Sequence, residues 1–270
     1  MQDTKPIPLG AAREHFAQEA DFAARQNRGK RETQEDYYAF ADAADHDQAA
    51  LARLLLVIGD GLGAHAGGSI ASYVTVGAFI KAYHEILMEP PARLRESLEQ
   101  ANDVLGTLAA SLPAVGQPMG TTLVAALVTK KNLLWISVGD SPLFLFRAGT
   151  LTRLNEDHSL TELLDERVRQ GEITPEEAEH HPDRHTLHSA VLGMPLMSVD
   201  APTENYPLQK GDIIIGASDG IFTLTNKQLE ELLSFGQHTT ADKIADAILF
   251  AIRRVNHERQ DNVTVGVIKV

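Results

Sequence analysis

Residues 54–68 read LLLVIGDGLGAHAGG, an apolar run followed by an aspartate and a glycine-rich segment. Its first part, 54–59, is apolar apart from a final glycine, a composition typical of a strand buried on both faces. The strand meets a carboxylate at Asp60, and a glycine-rich turn containing His65 follows. Beyond the turn, the apolar spacing of 70–87 predicts an amphipathic helix packed on a sheet.

An aspartate also stands at one end of three further apolar runs. These runs cover 133–139, 213–218 and 263–268, and their aspartates are Asp140, Asp219 and Asp261. Neighbouring strands of a sheet lie only about 5 Å apart. Carboxylates gathered at strand ends therefore repel one another unless a divalent cation neutralises them. The repetition predicts a metal-centred site.

Composition limits the class of protein and the kind of metal ligand. The 270 residues, 43% of them hydrophobic, are enough for one large domain. A net charge of −13 and a pI near 5.2 argue against a nucleic-acid partner. The chain has no cysteine, which leaves oxygen and imidazole as the available ligands. No leader or apolar span is evident, so we expect a cytoplasmic protein without a membrane partner.

The order of the predicted elements indicates an α+β fold. Residues 1–22 have the composition of an N-terminal arm, and 23–270 form one domain with an insertion at about 159–190. Strands occur in hairpins, and the three predicted in 121–146 form an antiparallel meander. Further helices are predicted at 92–111, 226–235 and 240–257. Runs of strands followed by runs of helices are typical of antiparallel sheet covered by helices.

Taken one by one, these segments also fit ordinary turns. Arg31 and Glu35 are an even number of positions apart and share one face of an extended chain, but 29–36 also fits a solvated charged turn. The segment 60–68 fits a metal loop, a tight strand-to-helix turn or a phosphate loop, although the Lys-Ser/Thr pair of nucleotide loops is missing. His65 by itself fits an exposed loop histidine.

The joint pattern favours a metal site over separate turns. All the carboxylates in question fall at the edges of apolar strands, while most other charged residues lie on predicted helices. The set is Glu35, Asp36, Asp60, Asp140, Asp219 and Asp261. Two oxygen-ligated metals that share a carboxylate are the usual chemical reason for such a set, because they hold an attacking hydroxide and a phosphoryl oxygen together.

Seven motifs occur in one order from residue 25 to the C-terminus. They are Arg31–Asp36, Asp60–Gly68, Gly120-Thr121-Thr122, Val138–Ser141, Asp157-His158-Ser159, Ser218-Asp219-Gly220 and Asp261-Asn262-Val263-Thr264. In these motifs the chain resembles the metal-dependent serine/threonine protein phosphatases, the PPM or type 2C family, in its bacterial form. The resemblance implies an αββα sandwich of two antiparallel sheets flanked by helices, with a binuclear metal site at the sheet edges.

The resemblance also implies the ligands of that centre. It would hold two Mn²⁺ or Mg²⁺ ions, with Asp60 bridging both. Asp219 and Asp261 would hold the first ion, and Glu35 with the Gly61 carbonyl would hold the second.

Four further roles follow from the resemblance. Asp140, with Asp219, would serve a weaker third metal. Arg31 would bind the phosphate, Asp36 would orient metal-bound water, and His65 would protonate the leaving seryl or threonyl oxygen. A metal-bridging hydroxide would attack phosphorus directly.

The sequence departs from the family pattern at three places. Gln34 stands where the bacterial motif usually has asparagine, and it keeps the amide. Pro142 replaces the arginine that usually follows Gly-Asp-Ser, which removes a charge beside Asp140. In the insertion, which corresponds to the family's flap, Ser189 and its neighbours differ from the usual ending. Its histidines could instead indicate a second metal site, although flexible loops often carry unliganded histidine.

We therefore expect a protein phosphatase specific for phosphoserine and phosphothreonine. Its partners would be phosphoproteins, opposite a serine/threonine kinase, and we expect a monomer. The sequence leaves two alternatives open. One is a regulatory phosphatase of the same fold dedicated to one partner, such as a phosphorylated anti-sigma antagonist. The other is a catalytically dead binding module, which the presence of every metal carboxylate disfavours.

Overall fold

Two five-stranded antiparallel sheets form the centre of the computed structural model, which describes residues 21–42, 53–63, 67–112, 119–129, 131–184 and 186–270. The first sheet has the spatial order β1 (Asp21–Asn27), β12 (Val263–Lys269), β11 (Ile213–Ala217), β8 (Leu143–Arg147), β9 (Thr150–Arg153). The second has the order β10 (Tyr206–Pro207), β7 (Asn132–Val138), β6 (Leu123–Thr129), β3 (Arg53–Gly59), β2 (Tyr37–Asp42). A separate short pair joins β4 (Gly61–Leu62) to β5 (Gly120–Thr121).

Strand β3 is apolar throughout because both of its faces are covered. Successive side chains of a strand point to opposite faces. Leu54, Leu56 and Ile58 accordingly belong to the core between the sheets, together with residues of β8, β11 and β12. Leu55 and Val57 belong to a second core on the outer face of their sheet. The continuous apolar run is thus a consequence of burial on two sides.

Helices cover the outer face of each sheet. The second sheet packs against α1 (Gly67–Glu85) and α2 (Pro90–Ser111), and the first packs against α5 (Asn226–Gly236) and α6 (Ala241–Val255). These layers confirm the predicted αββα sandwich. Within the part of the chain described here, no helix has the length and apolar character needed to cross a bilayer.

The two sheets approach closely where two glycines face one leucine. Gly216 of β11 pairs with Gly266 of β12. A Cβ atom on Gly266 would lie 2.7 Å from a methyl carbon of Leu56, and one on Gly216 would lie 3.2 Å from it. The absence of side chains at this cross-strand pair makes room for Leu56.

The predicted three-strand meander is wrong in its third strand. β6 pairs with β7 as expected, but β8 joins the other sheet, where it pairs with β11 and β9. The chain leaves the second sheet at Gly139, which has a φ of 101°, and passes through Pro142. Both positions interrupt a regular hairpin, because a positive φ suits glycine and proline has no N–H to donate.

The insertion predicted at about 159–190 is partly helical, as expected. It contains α3 (Leu160–Arg169) and the short α4 (Pro175–Glu179). Ser159 caps α3 by accepting a hydrogen bond from the Thr161 N–H, at 3.2 Å. An antiparallel bridge between Ser159 and Leu187 joins the two ends of the insertion.

Candidate metal centre

The register of the second sheet places two of the predicted carboxylates at the same end of neighbouring strands. Tyr37, the first residue of β2, pairs with Gly59, the last residue of β3. Asp36 immediately precedes the one and Asp60 immediately follows the other. Antiparallel pairing therefore brings these two side chains together although they are 24 positions apart in the sequence.

The first sheet contributes two more aspartates in the same way. Ala217 at the end of β11 pairs with Val265 near the start of β12. Asp219, which opens a short 3₁₀ helix after β11, and Asp261, which precedes β12, therefore lie at one end of this sheet. A hydrogen bond of 2.7 Å from the Ser218 hydroxyl to Asp36 joins this end to the corresponding end of the other sheet.

The electrostatics of Asp60 show that the carboxylates converge. Burial raises the pKa of Asp60 well above its usual range, and the charges of four other aspartates raise it further. In order of effect they are Asp36, Asp219, Asp140 and Asp261. Four other carboxyl groups thus lie close enough to Asp60 to act on it at the junction of the two sheets, which is the arrangement that a divalent cation would stabilise.

Asp36 is the most deeply buried member of this cluster. Its Oδ2 atom accepts hydrogen bonds from the Ser218 hydroxyl, at 2.7 Å, and from the Thr264 hydroxyl, at 2.8 Å. Burial, with a smaller contribution from the charge of Asp219, raises its pKa to about 7. Its other oxygen, Oδ1, is buried and accepts no hydrogen bond within the described ranges. A buried carboxylate oxygen of this kind is a suitable ligand atom for a cation or for water bound to one.

Glu35 is held next to Gly61 by its main chain. Its N–H donates to the Asn262 side-chain oxygen at 2.7 Å, and its carbonyl accepts from the Ser72 hydroxyl at 2.6 Å. A Cβ atom on Gly61 would lie 2.5 Å from the Glu35 carbonyl oxygen, and one on Gly68 would lie 2.3 Å from its carboxylate. The missing side chains at these glycines allow Glu35 and the Gly61 backbone to lie side by side, as ligands of one ion must.

Arg31 lies on the exposed side of the cluster and contacts a predicted metal ligand. Its guanidinium donates a hydrogen bond to Asp261 Oδ2. The Arg31 side chain is 60% exposed, so a phosphate arriving from solvent could reach it. The structure therefore brings the predicted phosphate-binding residue and the predicted metal site together, through a contact that the sequence did not indicate.

Asp140 is supported from behind by two residues whose roles the sequence did not reveal. Arg153, on β9, donates to the Asp140 carbonyl at 2.8 Å and to the Asp157 carboxylate at 2.9 Å. The buried His158 accepts from the Gly139 N–H at 3.2 Å. Burial raises the pKa of Asp140 to about 7, and the charge of Asp219 adds to the effect.

Pro142 stands where the family usually has an arginine, but Arg153 places another guanidinium near Asp140. Arg153 reaches this turn from a strand 13 positions away. His158 belongs to the Asp157-His158-Ser159 motif that the chain shares with the family, whereas no pattern in the sequence marked Arg153. For His158, burial and then the neighbouring His188 lower the pKa, which agrees with a neutral ring whose Nδ1 accepts a hydrogen bond.

A cavity of about 580 Å³ lies beside this region, between the end of β9 and α3. It is lined by Arg153, Leu154, Asn155, Glu156, Asp157, Thr161, Glu162, Asp165 and Arg169. None of these is a predicted metal ligand. Arg153, which donates to the Asp140 carbonyl, connects the cavity to the carboxylate cluster.

The donor set fits Mn²⁺ or Mg²⁺, although the side chains are not arranged as a closed ligand shell. Among the described residues, no three carboxylates or imidazoles are grouped to hold an ion. Uncompensated carboxylates repel one another, and here Asp261 points to Arg31 while Asp36 points to two hydroxyls. The chemistry of the set, carboxylate and carbonyl oxygens with no sulfur, is that preferred by hard cations.

His65 lies outside the described residues, as do Ala64 and Ala66. Its predicted part as proton donor has no structural test here and stays a prediction. The same holds for the division between the arm at 1–22 and the domain at 23–270, since the description begins at Asp21.

Comparisons with known proteins agree with the geometry. The family model described as Protein phosphatase 2C matches residues 25–249. The serine/threonine phosphatase stp of Listeria welshimeri is 31% identical over 217 residues, which make up 78% of this chain and 82% of that protein.

Solved structures show the same fold. The crystal structure of the Mycobacterium tuberculosis serine/threonine phosphatase PstP/Ppp superposes with a TM-score of 0.76 at 29% identity, covering 93% of this chain and 98% of that one. The catalytic domain of PstP in complex with two manganese ions superposes with a TM-score of 0.72 at 28% identity, covering 93% and 97%.

Proposed function

The chain belongs to the protein phosphatase 2C family, and we infer from this membership that it removes phosphate from phosphoserine and phosphothreonine in proteins. It is a metal-dependent protein-serine/threonine phosphatase that uses Mn²⁺ or Mg²⁺. The observation that carries this function is the position of Asp36, Asp60, Asp219 and Asp261 at strand ends that meet at one end of the sandwich. An oxygen-only site of this charge suits two divalent cations acting on a phosphate ester.

We propose that Asp60 would contribute to holding both ions, with Asp219 and Asp261 as ligands for one of them. Glu35 and the Gly61 carbonyl would serve the other. Their adjacent positions and the room left by the glycines support this assignment. When bound, the ions supply positive charge that activates a water molecule and balances the phosphoryl oxygens.

The protein's own groups have three further tasks in this proposal. Arg31 binds the phosphate with its planar guanidinium, which matches phosphate oxygens. Asp36 orients the attacking water with Oδ1, because Ser218 and Thr264 both donate to the other oxygen, Oδ2. His65 gives a proton to the departing oxygen. Asp140, supported by Arg153, would serve a weaker third ion with Asp219.

The proposed function is tested by removing and restoring metal. Purified protein treated with a chelator should lose hydrolysis of a phosphoserine peptide, because the carboxylates alone cannot activate water at neutral pH. Added Mn²⁺ or Mg²⁺ should restore it. Released phosphate is the measurement. Undiminished hydrolysis in excess chelator would show that the activity does not depend on this centre.

We also propose that the protein opposes a serine/threonine kinase, acts in the cytoplasm and is monomeric. Phosphoprotein substrates support the first point, since a kinase must supply them. The acidic, cysteine-free composition supports the second. A phosphoproteome comparison of deletion and parent strains would identify substrates, and light scattering would give the oligomeric state.

Replacing Arg31 by alanine is expected to raise KM for a phosphopeptide about 10- to 100-fold. A hydrogen bond to a charged group contributes about 1.5–3 kcal/mol, and each 1.4 kcal/mol corresponds to a factor of ten. The kcat should change less if the phosphate is bound similarly in the ground and transition states. Steady-state kinetics measure both.

Lys30→Ala is the matched control for Arg31, because it removes the same charge from an exposed neighbour that hydrogen-bonds Asn256 instead. It should leave KM near the parent value. A loss confined to kcat in Arg31→Ala would place the guanidinium on charge that develops only in the transition state.

Replacing His65 by alanine is expected to lower the rate about 10²- to 10⁴-fold on phosphoserine peptides. The loss on p-nitrophenyl phosphate should be much smaller, because nitrophenolate leaves without a proton. The ratio of the two rates is the measurement, and His238→Ala, an exposed histidine between α5 and α6, is the control. Equal losses on both substrates would mean that His65 is not the proton donor.

A further inference from the structure

Asn262, immediately before β12, connects the start of this strand to the loop that carries Arg31 and Glu35. Its side-chain NH₂ donates to the Arg28 carbonyl at 2.8 Å and to the Thr33 carbonyl at 2.9 Å. Its side-chain oxygen accepts from the Glu35 N–H at 2.7 Å. The residue is buried, with 5% of its surface exposed. One amide thus bonds the main chain of this loop at three points.

The loop has little other regular structure to fix its path. The segment between β1 and β2 contains no helix or strand, so no ladder of hydrogen bonds sets its geometry. It is packed directly on 260–262, where the Lys30 N–H donates to the Gln260 carbonyl at 2.8 Å. A Cβ atom on Gly29, whose φ is +63°, would lie 2.2 Å from the Asp261 carbonyl oxygen. Glycine at this position lets the loop lie against the backbone of 260–261.

The hydrogen-bonding capacity of asparagine matches this task. The amide has two N–H donors and one acceptor oxygen, and all of them are used, in two donated hydrogen bonds and one accepted hydrogen bond. Aspartate could still accept from Glu35 but could not donate to either carbonyl, and alanine could make none of the three bonds. Neither replacement would hold the loop at all three points.

We propose that Asn262 is a positioning residue that sets Glu35 for metal binding and Arg31 for phosphate binding. This inference rests on the proposed function of those two residues. Residues that hydrogen-bond to metal ligands are often important, because replacing them lowers metal affinity or activity about 10- to 100-fold. Asn262 acts on both halves of the site through one loop, so metal affinity and KM should change together.

The test compares the 270-residue parent chain with Asn262→Ala and Asn262→Asp. Calorimetry should show Mn²⁺ binding to Asn262→Ala weakened about tenfold or more, independently of any turnover. Raising Mn²⁺ to saturation should restore most of kcat but leave KM for a phosphopeptide raised, because excess metal can fill the Glu35 site but cannot reposition Arg31. Asn262→Asp should show the same raised KM, because it loses both donors.

Asn102→Ala provides a control of matched burial. Asn102 is also buried, on α2, and its amide also joins a loop, through the Met194 carbonyl and the Gly193 N–H, both at 2.8 Å. This variant should lower the melting temperature without changing Mn²⁺ affinity or KM. It therefore separates general loss of stability from misplacement of the site.

Two results would overturn the inference. The first is that Asn262→Ala has the same Mn²⁺ affinity and the same KM as the parent. The second is that Asn262→Asp has the same KM as the parent, a result that can still be obtained if the alanine variant does not fold. A parent enzyme that fails to hydrolyse phosphopeptides with Mn²⁺ would instead contradict the proposed function, and the calorimetric comparison would still decide whether Asn262 governs metal binding.

Discussion

Asp60→Asn is expected to lower kcat by at least about 100-fold and to weaken Mn²⁺ binding. Loss of a hydrogen-bond partner of a metal ligand already lowers metal affinity or activity about 10- to 100-fold. Asp60 is itself a proposed ligand, and the charges of four other aspartates act on it. An amide is neutral and cannot balance divalent charge as a carboxylate does. Steady-state kinetics at several Mn²⁺ concentrations, together with calorimetry, measure both effects. Unchanged Mn²⁺ binding would remove Asp60 from the bridging position.

The same substitution is expected to stabilise the protein when metal is removed. At alkaline pH the parent must keep several like charges together in the cluster, and asparagine removes one of them. The melting temperature of Asp60→Asn in chelator should therefore exceed that of the parent at pH 8, with little difference near pH 4.5. A loss of activity together with a gain in stability would separate a functional effect from unfolding.

Asp212→Asn is the matched control, because it removes another buried carboxylate with the opposite role. Asp212 accepts hydrogen bonds from Arg147 at 2.8 and 2.6 Å, so the substitution removes the charged partner of this guanidinium. This variant should lose about 1–3 kcal/mol of stability while Mn²⁺ affinity and kcat stay near the parent values. If it also lost metal affinity, the effect of Asp60→Asn would not be specific to the cluster.

The metal-free protein is expected to lose stability steeply as pH rises from about 4 to about 7. Asp36 and Asp140 have pKa values raised from 3.8 to about 7, chiefly by burial. A carboxyl group with a raised pKa in the folded state binds its proton more tightly there than in the unfolded chain. Its stabilising contribution is present below the unfolded pKa and is lost as pH passes the folded value.

The size of this effect follows from linkage, since each unit of pKa difference corresponds to about 1.4 kcal/mol. Thermal unfolding in chelator across pH 4 to 8 measures the loss, and the same series in Mn²⁺ should show a much flatter profile, because the ions neutralise the cluster and bind the folded state. Equal pH profiles with and without metal would show that these carboxylates do not face a cation.

The amino-acid sequence was sufficient to predict the fold class and to select the candidate site residues. Apolar runs ending in aspartate identified the strands whose ends meet, and the predicted helix at 70–87 corresponds to α1. Asp60, Asp219 and Asp261 could be chosen because strand patterns and end residues are local features. The absence of cysteine limited the metal ligands to oxygen and imidazole by composition alone.

The sequence did not determine which sheet each strand joins or which groups support the ligands. β8 was predicted to continue a meander, yet it lies in the other sheet. Apolar alternation specifies the faces of a strand but not its neighbours. The bonds from Arg153 to Asp140 and from Arg31 to Asp261 likewise depend on how distant segments pack.

The sequence by itself thus determined the positions of the aspartates at strand ends and the α+β class, because these follow from local periodicity and composition, whereas the two-sheet sandwich was implied by the resemblance to the family. Tertiary structure alone decided that Asn262 bonds a loop 227 to 234 positions away and that Asp36 receives two hydroxyl groups from separate elements. Side-chain hydrogen bonds between distant segments form only after the sheets have packed, and no local pattern encodes which partner will be within 3 Å.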